Sequence, residues 1–370
     1  MLTPKSEQEL AELVATTQRP LHIQGGGTRP IGRVTGACTV VKTTGLSGIS
    51  LYEPGALTIV AQAGTPIAEI KAALSEHNQR LPFEPPDYRA LLSTEGTPTI
   101  GSIAAMNLSG PRRVQVGAAR DYMLGVRFVD GAGKVLKNGG RVMKNVTGYD
   151  LVKLLAGSYG TLGILTEVAM KVLPNVEKSA TLALSGLDHA QAVKAMARAL
   201  GSPFEVSGVA HDTSSTRTLF RLEGFNASVD YRSSKLAEIL KDFGAIEKVE
   251  DAETLWSDIR DVKAFAGEPG DIWRISTKAT DAPSLLERAA PLASVLDWGG
   301  GLIWLRMPEG IDLRARLGAF QGHATLIRAS IETKTRISTF HPAAPPLAKI
   351  ATGLRQKFDP RGILNLGLMG

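Results

Sequence analysis

The sequence LHIQGGGTR, residues 21–29, leads from a short β-rich run directly into three consecutive glycines. Glycine adopts positive φ angles without steric cost, and successive backbone N–H groups in such a loop converge into a concave anion-binding nest. Gly25 to Gly27 are therefore candidates for binding phosphate oxygens, beside the Thr28 hydroxyl and the Arg29 guanidinium. The stretch is neither a Rossmann fingerprint nor a P-loop, and a plain glycine-rich turn is the alternative.

A second stretch of small residues, GTPTIGSIAAMNLSG, spans residues 96–110. After Pro98 it can enter a helix whose first turn has free N–H groups for an anion. The small residues along this helix would let a bulky planar group approach the backbone. Together with the first loop, this pattern indicates a diphosphate held from two sides, and a tightly packed core helix is the alternative.

The third stretch is KNVTGYDL at residues 144–151, followed by GSYGTLGIL at residues 157–165. Its glycines at 157, 160 and 163 predict a tight exit from a helix into a β-strand. Backbone exposed at Gly160 and Ile164 could recognise the edge of an adenine or a flavin through hydrogen bonds.

The composition limits the chemistry that this chain can carry out. Of its 370 residues 39 are glycine and only Cys38 is a cysteine. One thiol cannot form a disulfide framework, an iron–sulfur cluster or a multi-thiolate zinc site, so a redox role needs another cofactor. The net charge of +6 is mild and suits anionic small molecules as well as nucleic acid.

The chain is long enough for about two domains, at roughly 150 residues each. Short β-rich runs separated by Gly and Pro fill residues 21–172, and VRFVDGAGKVL within them predicts a hairpin turning at Asp130-Gly131. Beyond Pro174, two strand–helix–strand–strand–helix–strand runs predict an antiparallel sheet with helices on one face. The expected division is 1–174, 175–340 and a segment 341–370 that returns to the first domain.

The three stretches in this order resemble the FAD-binding domain of the vanillyl-alcohol oxidase and p-cresol methylhydroxylase (PCMH) superfamily. GTPTIGSIAAMNLSG, VGAARDYMLGVRFVDGAGKVL, VMKNVTGYDLVKLLAGSYGTLGILTEVAMKVLP and FDPRGILNLG are similar to the branch acting on D-2-hydroxy acids. In that branch the chain resembles the family of FAD-binding subunits of bacterial glycolate oxidases. The resemblance implies an α+β fold, with a PCMH-type two-subdomain FAD-binding domain and a ferredoxin-like antiparallel α+β cap.

The resemblance also assigns cofactor-binding residues, position by position. The pyrophosphate loop would comprise Gly25, Gly26, Gly27 and Thr28. The rest of FAD would contact Gly96, Thr97, Ile100, Gly101, Ser102 and Ala105, and at its other end Gly160 and Ile164. Where the family often has T-I-G-G-N, this chain has TIGSI, so a polar contact at Ile103 is lost. Neither Thr28 nor Ile103 can form a covalent bond to a flavin, so FAD is expected to be bound non-covalently.

Oxidation of a 2-hydroxy acid requires a cation for the carboxylate and a base for the hydroxyl proton. Arg274 lies in the predicted strand DIWRIST, facing away from Trp273 and Ile275, and could hold a carboxylate; a solvated arginine is the alternative. His341 in the proline-rich joint could lie near the flavin or simply pack there. Asn365 matches an asparagine of the family tail and is a further candidate.

No paired-histidine spacing occurs in the sequence, and the histidine metal site of the larger relatives is absent, so no metal site is expected. Trp298 and Trp304 are expected to pack the second sheet. The sequence shows neither a secretory signal nor a run of about 18 apolar residues, which favours a cytoplasmic protein. Attachment to the inner face of the cytoplasmic membrane through a complex stays open.

The leading hypothesis is a subunit that oxidises a small 2-hydroxy acid, glycolate first, to glyoxylate. Its partners would be a larger flavin subunit and an iron–sulfur subunit, with no nucleic acid. Two alternatives remain: a self-sufficient FAD-dependent oxidoreductase for another small alcohol or hydroxy acid, and a non-catalytic flavin-binding subunit.

Overall fold

The computed structural model describes residues 1–141 and 148–369, so Lys144 to Thr147 of the third stretch lie outside the described residues. The elements up to residue 174 are α1 (Glu7–Thr16), β1 (Leu21–Gln24), β2 (Thr39–Lys42), β3 (Ile49–Glu53), β4 (Thr58–Gln62), α2 (Ile67–Ser75), β5 (Gln79–Arg80), α3 (Arg89–Leu92), α4 (Ile100–Met106), α5 (Arg113–Val116), β6 (Met123–Val129), β7 (Val135–Gly139), α6 (Leu151–Leu155), β8 (Ile164–Lys171) and β9 (Leu173–Pro174).

These elements form two subdomains. Strands β1 and β2 pair in parallel next to α1, whereas β3-β4-β8-β6-β7 form an antiparallel sheet covered by α2 and α4. Local chemistry explains two of the elements. Ser6 caps α1 by accepting a hydrogen bond from Glu9 N at 3.1 Å. In the predicted β6–β7 hairpin, Asp130 Oδ1 accepts from Ala132 N at 2.9 Å and from Lys134 N at 2.8 Å, which fixes the turn.

The second half of the chain forms one eight-stranded antiparallel sheet. Its elements are β10 (Lys178–Ser185), α7 (His189–Leu200), β11 (Val206–Asp212), β12 (Arg217–Gly224), α8 (Asn226–Leu240), β13 (Glu247–Val249), α9 (Ala252–Asp261), β14 (Asp271–Thr277), α10 (Ala282–Ala289), β15 (Ala293–Asp297), β16 (Leu302–Met307), α11 (Leu313–Leu317), β17 (Gly322–Arg328), α12 (Ile331–Arg336) and α13 (Pro345–Phe358).

The strand order β13-β10-β12-β11-β15-β16-β14-β17 shows two ferredoxin-like halves joined edge to edge at β11 and β15. Helices α7, α8, α10 and α11 cover one face, where Trp273 and Ile275 are fully buried. The other face carries Ile272 and Trp304 and packs against Tyr88 and Leu91 of the first half. The predicted fold class, an α+β protein with a two-subdomain first half and an antiparallel cap, is confirmed.

The end of the chain contacts the first subdomain. Leu21 N donates to Ile363 O at 2.7 Å, and Asn365 N donates to Leu21 O at 2.9 Å, so Leu364 continues the small sheet beside β1. Gly131 has no room for a side chain, because a Cβ there would lie 2.2 Å from Asp359 Oδ1. We keep the boundaries at 174 and 340 as a proposal, which these contacts support.

A buried lattice of ion pairs joins the cap to the first half. Arg221 binds Glu84 through two hydrogen bonds of 2.9 Å, and Arg112 binds Glu223 at 2.6 and 2.8 Å. Arg80 lies 3.2 Å from Glu223, and Arg112 lies 3.3 Å from Glu84. Burial alone would raise the pKa of both carboxyls, but the arginines hold each pKa below its usual range.

Candidate cofactor and substrate site

An open cavity lies between the two subdomains and the chain end. Its walls are His22, Ile23, Gln24, Gly25, Gly26, Gly27, Thr28, Arg29, Pro30, Ile31, Gly32, Thr43, Ala63, Gly101, Ser102, Ala105, Met106, Tyr159, Gly160, Gly163, Ile164, Leu165, Asn365 and Leu368. The loop after β1 and helix α4 are thus brought together, as the sequence indicates.

The glycines of the first loop are required by its packing. A Cβ at Gly26 would lie 1.7 Å from Thr97 O, and a Cβ at Gly25 would lie 2.6 Å from Thr99 Oγ1. Gly27 has a φ of +74° and open space where a side chain would stand. No described residue accepts a hydrogen bond from the N–H groups of Gly25 to Thr28. A row of unpaired backbone donors at a cavity wall fits the diphosphate of FAD.

Arg29 places a positive charge on the same wall. Its Nη1 donates to Ser102 Oγ at 3.1 Å and its Nη2 donates to Pro86 O at 2.5 Å. Its buried Nε has no partner among the described residues, and neither has the buried Thr99 Oγ1. Arg29 belongs to the cavity wall, and an unsatisfied buried donor of this residue is a further sign that a polar ligand belongs there.

Two of the first-turn N–H groups of α4 are already bonded within the fold. Ile100 N donates to Thr65 O at 3.0 Å and Gly101 N donates to Ala63 O at 2.8 Å, so these first-turn N–H groups are not free for an anion. Ile100 is 1% exposed and packs in the core instead of lining the cavity. The small residues of α4 do face the cavity, at Gly101, Ser102 and Ala105.

Gly96 and Thr97 also lie outside the cavity wall, behind the first loop. A Cβ at Gly96 would lie 2.1 Å from Gly26 O, and its φ of +100° favours glycine. Arg89 Nη1 donates to Gly96 O at 3.1 Å. These two residues therefore support the glycine loop from behind, where we expected contact with the cofactor itself.

Gly160 and Ile164 also line the cavity. The neighbouring strand β4 ends at Gln62, and Ala63 N makes the last bond to Thr166 O at 2.8 Å. The beginning of β8 therefore extends past its partner strand into the cavity wall. This agrees with the predicted strand end, although Gly160 and Ile164 are both buried and Ile164 pairs with Val129 of β6 on its other side.

Asn365 reaches the cavity, but its amide is already used. Its Oδ1 accepts from Ile23 N at 2.8 Å, and its Nδ2 donates to Tyr159 O at 2.7 Å. The side chain thus holds β1 and the turn before Gly160 in place. The structure gives Asn365 a positioning role, and its catalytic role stays a prediction.

Arg274 faces the first half of the chain, on the side of the sheet opposite Trp273 and Ile275. Its guanidinium carbon lies 5.3 Å from the Trp298 ring centroid and 6.0 Å from that of Trp304. Its charge also acts on Tyr159, a residue of the cavity wall, where burial raises the pKa and Arg274 lowers it. Arg274 is therefore close to the cavity without lining it.

Two further expectations need correction. His341 does not line the cavity: its Nδ1 accepts from Ala324 N at 3.2 Å and its ring packs on Phe320, which ties the joint to β17. Trp298 and Trp304 do more than pack the sheet. Trp304 contacts Tyr88 of the first half edge-on, with 5.5 Å between centroids, and Trp298 lies between the halves.

Sequence reasoning missed Tyr88, which nothing in the PPDY context of residues 85–88 singles out. It is 4% exposed, and burial raises its pKa to about 12 despite the nearby Arg274 and Arg29. Its ring lies 6.0 Å from the Arg29 guanidinium carbon. Tyr88 thus connects the cavity wall to the Arg274 region.

Asp297 is a buried carboxyl beside this region, and it predicts a pH dependence. Burial raises its pKa from 3.8 to about 7, against the hydrogen bond from Trp298 N at 2.7 Å. Between these values the native state binds more protons than the unfolded state, so stability should fall as the pH rises from 4 to 7. Asp297→Asn, which keeps the acceptor, should unfold like wild type at about pH 3.5, where the carboxyl is protonated in both states, and should be more stable than wild type at pH 8. Equal urea unfolding curves at pH 8 would contradict this.

Among the described residues, no group of three or more His, Cys, Asp or Glu side chains is placed to hold a metal ion. In the same part of the chain, none of the helices is long and apolar enough to cross a bilayer.

Comparison with known proteins agrees with this geometry. A model of the FAD binding domain family matches residues 1–139. Glycolate oxidase subunit GlcE of Escherichia coli (strain K12) is 38% identical over 354 residues, which cover 95% of this chain and 92% of that protein. The chain belongs to the GlcE family of glycolate oxidase subunits. Its fold is that of the PCMH-type FAD-binding superfamily.

Other similarities of this GlcE-family chain are more partial. Glycolate oxidase subunit GlcD of Bacillus subtilis (strain 168) is 30% identical over 49% of the chain and 38% of that protein. A solved structure of alkyldihydroxyacetonephosphate synthase matches 99% of the chain and 76% of its own, with a TM-score of 0.69 and 15% identity. That likeness shows the fold alone.

Proposed function

We propose that the chain is the FAD-binding subunit of a complex that oxidises glycolate to glyoxylate and passes the electrons through FAD to a partner subunit. The observation that carries this proposal is the similarity to GlcE, which extends over both the first half and the cap. The glycine-walled cavity with its unpaired N–H groups supports the choice of cofactor.

The residues present would hold FAD without a covalent bond. Gly25 to Gly27 and Thr28 would bind its diphosphate, while Ala105 and the Gly160 turn would contact the remainder. Ile103 is fully buried in the core and makes no contact with the cavity. When bound, FAD supplies an acceptor for the hydride that leaves the carbinol carbon.

Arg274 is our candidate for holding the substrate carboxylate. A guanidinium binds a carboxylate through two parallel hydrogen bonds, and its contacts with two indoles fix the side chain. We assign no chemistry to His341, which lies outside the cavity wall, or to Asn365, whose amide bonds to Ile23 and Tyr159 position the fold.

The subunit name of the relative indicates a multi-subunit assembly for that protein. For this chain we propose a larger flavin subunit and an iron–sulfur subunit as partners, on the cytoplasmic side of the membrane. A single cysteine in the sequence supports this, since clusters for onward electron transfer need several thiolates.

The test is the anaerobic addition of glycolate, and separately of D-lactate, to the purified chain. We expect a visible flavin spectrum, full release of the flavin on acid precipitation, and bleaching by glycolate. A chain without flavin contradicts the cofactor assignment. If flavin is bound but is bleached neither by glycolate nor by D-lactate, substrate oxidation does not occur in this chain.

A further inference from the structure

Two arginines contact one tryptophan at the junction of the two halves. The guanidinium carbon of Arg113, on α5, lies 4.4 Å from the Trp298 ring centroid, and that of Arg274 lies 5.3 Å from the same centroid. Arg113 belongs to the first half and Arg274 to the cap sheet. The indole is therefore shared between cations that come from both sides of the junction.

Neither arginine has an anionic partner in the part of the chain that the structure describes. Within residues 1–141 and 148–369, no carboxylate lies within ion-pair distance of either guanidinium, and neither donates a side-chain hydrogen bond. Arg112, the neighbour of Arg113, contrasts with this because it binds two glutamates. Partial burial and the charge of Arg274 lower the pKa of Arg113. Two partly buried cations without a counter-charge are costly unless an anion binds them.

Trp298 is held firmly in this position. Its φ of +54° is rare for a residue with a side chain and costs about 1–3 kcal/mol. Two hydrogen bonds stabilise it there: Asp297 Oδ1 accepts from its backbone N at 2.7 Å, and Gly110 O accepts from its Nε1 at 3.1 Å. Backbone strain of this kind persists where the surroundings fix one geometry, which is the requirement of a binding site.

The junction adjoins the cavity. Met106, at the end of α4, lines the cavity and also packs in the cluster that contains Trp298. Arg274 acts on Tyr159 of the cavity wall. An anion bound by the two arginines would thus sit next to the space for the cofactor.

We propose that Arg113 and Arg274, arranged around the Trp298 indole, form an anion subsite that takes the carboxylate of the small hydroxy acid. Arg113 is the new element, a substrate-binding residue contributed by the first half. The inference rests on the proposed function, because it places the substrate of that reaction. A carboxylate presents two coplanar oxygens to a guanidinium fork and can accept two parallel hydrogen bonds from it, which a spherical halide cannot do.

The experiment titrates the FAD-loaded chain with sodium oxalate, a planar carboxylate, and follows the flavin spectrum and the binding heat. We expect Arg113→Gln and Arg274→Gln each to weaken oxalate binding by about tenfold or more. Arg113→Lys keeps the positive charge but loses the forked guanidinium, so its oxalate affinity should lie between those of wild type and Arg113→Gln. Arg120→Gln is the matched control, since Arg120 is exposed beside Asp121 and should bind like wild type.

The possible results distinguish a failure of the anion subsite from a failure of the proposed function. Oxalate binding by Arg113→Gln within twofold of wild type overturns the subsite, whatever the flavin content. Sodium sulfate competing as strongly as oxalate overturns the carboxylate assignment. Wild-type protein that binds no flavin contradicts the proposed function. In that case the heat of oxalate binding still measures the contribution of Arg113 and Arg274 to anion binding. Equal melting temperatures of the variants exclude misfolding as the cause of weak binding.

Discussion

Gly26→Ala is expected to abolish the retention of FAD. The new methyl group would lie 1.7 Å from Thr97 O and 2.7 Å from Thr97 C, both backbone atoms that cannot rotate away. The loop would have to move, and its row of N–H groups would no longer converge on one anion. We expect the purified variant to be colourless and its affinity for added FAD to fall by at least about a hundredfold. Flavin fluorescence titration of the apoprotein measures this.

Gly353→Ala is the matched control for that variant. Gly353 lies in α13, has open space where a Cβ would stand and has no positive φ. Alanine in a helix is favoured over glycine by about 1 kcal/mol, so this variant should keep its flavin and its stability. If Gly26→Ala bound FAD as tightly as Gly353→Ala, the glycine loop would not be the diphosphate site.

Glu223→Gln is expected to cost about 3–5 kcal/mol of unfolding free energy, the largest stability effect predicted for this chain. The buried Glu223 carboxylate is the shared partner of Arg112 and Arg80, and Arg221 lies 3.5 Å from it. When Glu223 is neutralised, Glu84 is the one carboxylate of this ion-pair lattice that remains to balance the buried arginines. Urea unfolding of the wild type and the variant measures the difference.

Asp230→Asn provides the comparison on the cap surface. Asp230 pairs with Lys178 at 2.6 Å, but both side chains are exposed, so its loss should cost no more than about 1 kcal/mol. Both variants replace a carboxylate by an amide, so a difference between their unfolding free energies reports the effect of burying the ion pair rather than the loss of charge alone. Similar costs for the two variants would show that the lattice does not hold the cap in place.

Features set by neighbouring residues could be predicted from the sequence. The Ser6 cap needs only Glu9, and the Asp130 turn needs only the next four residues. The alternation in DIWRIST predicts that Arg274 and Trp273 face opposite sides, as they do. The order of predicted strands and helices likewise indicates the two ferredoxin-like runs.

Features set by distant residues could not be predicted in the same way. Whether the first-turn N–H groups of α4 are free depends on Thr65 and Ala63, which the preceding loop brings against them. Arg113 and Trp298 meet only because α5 packs beneath the cap sheet, and no spacing in the sequence indicates that contact. The glycine loop itself was visible, but its support by Thr97 and Asn365 was not.

The contact of Leu21 with Ile363 and Asn365 has a consequence for the order of folding. The strand that leads into the glycine loop is held by residues far away along the chain, with Ile23 and Asn365 separated by 342 positions. The antiparallel sheets pair segments that are closer in sequence, so we expect them to form before the Asn365 amide reaches Ile23 and Tyr159. Flavin should then bind only after this distant pairing has formed. Refolding in the presence of FAD, followed by flavin fluorescence, should show capture of the cofactor in the slowest phase.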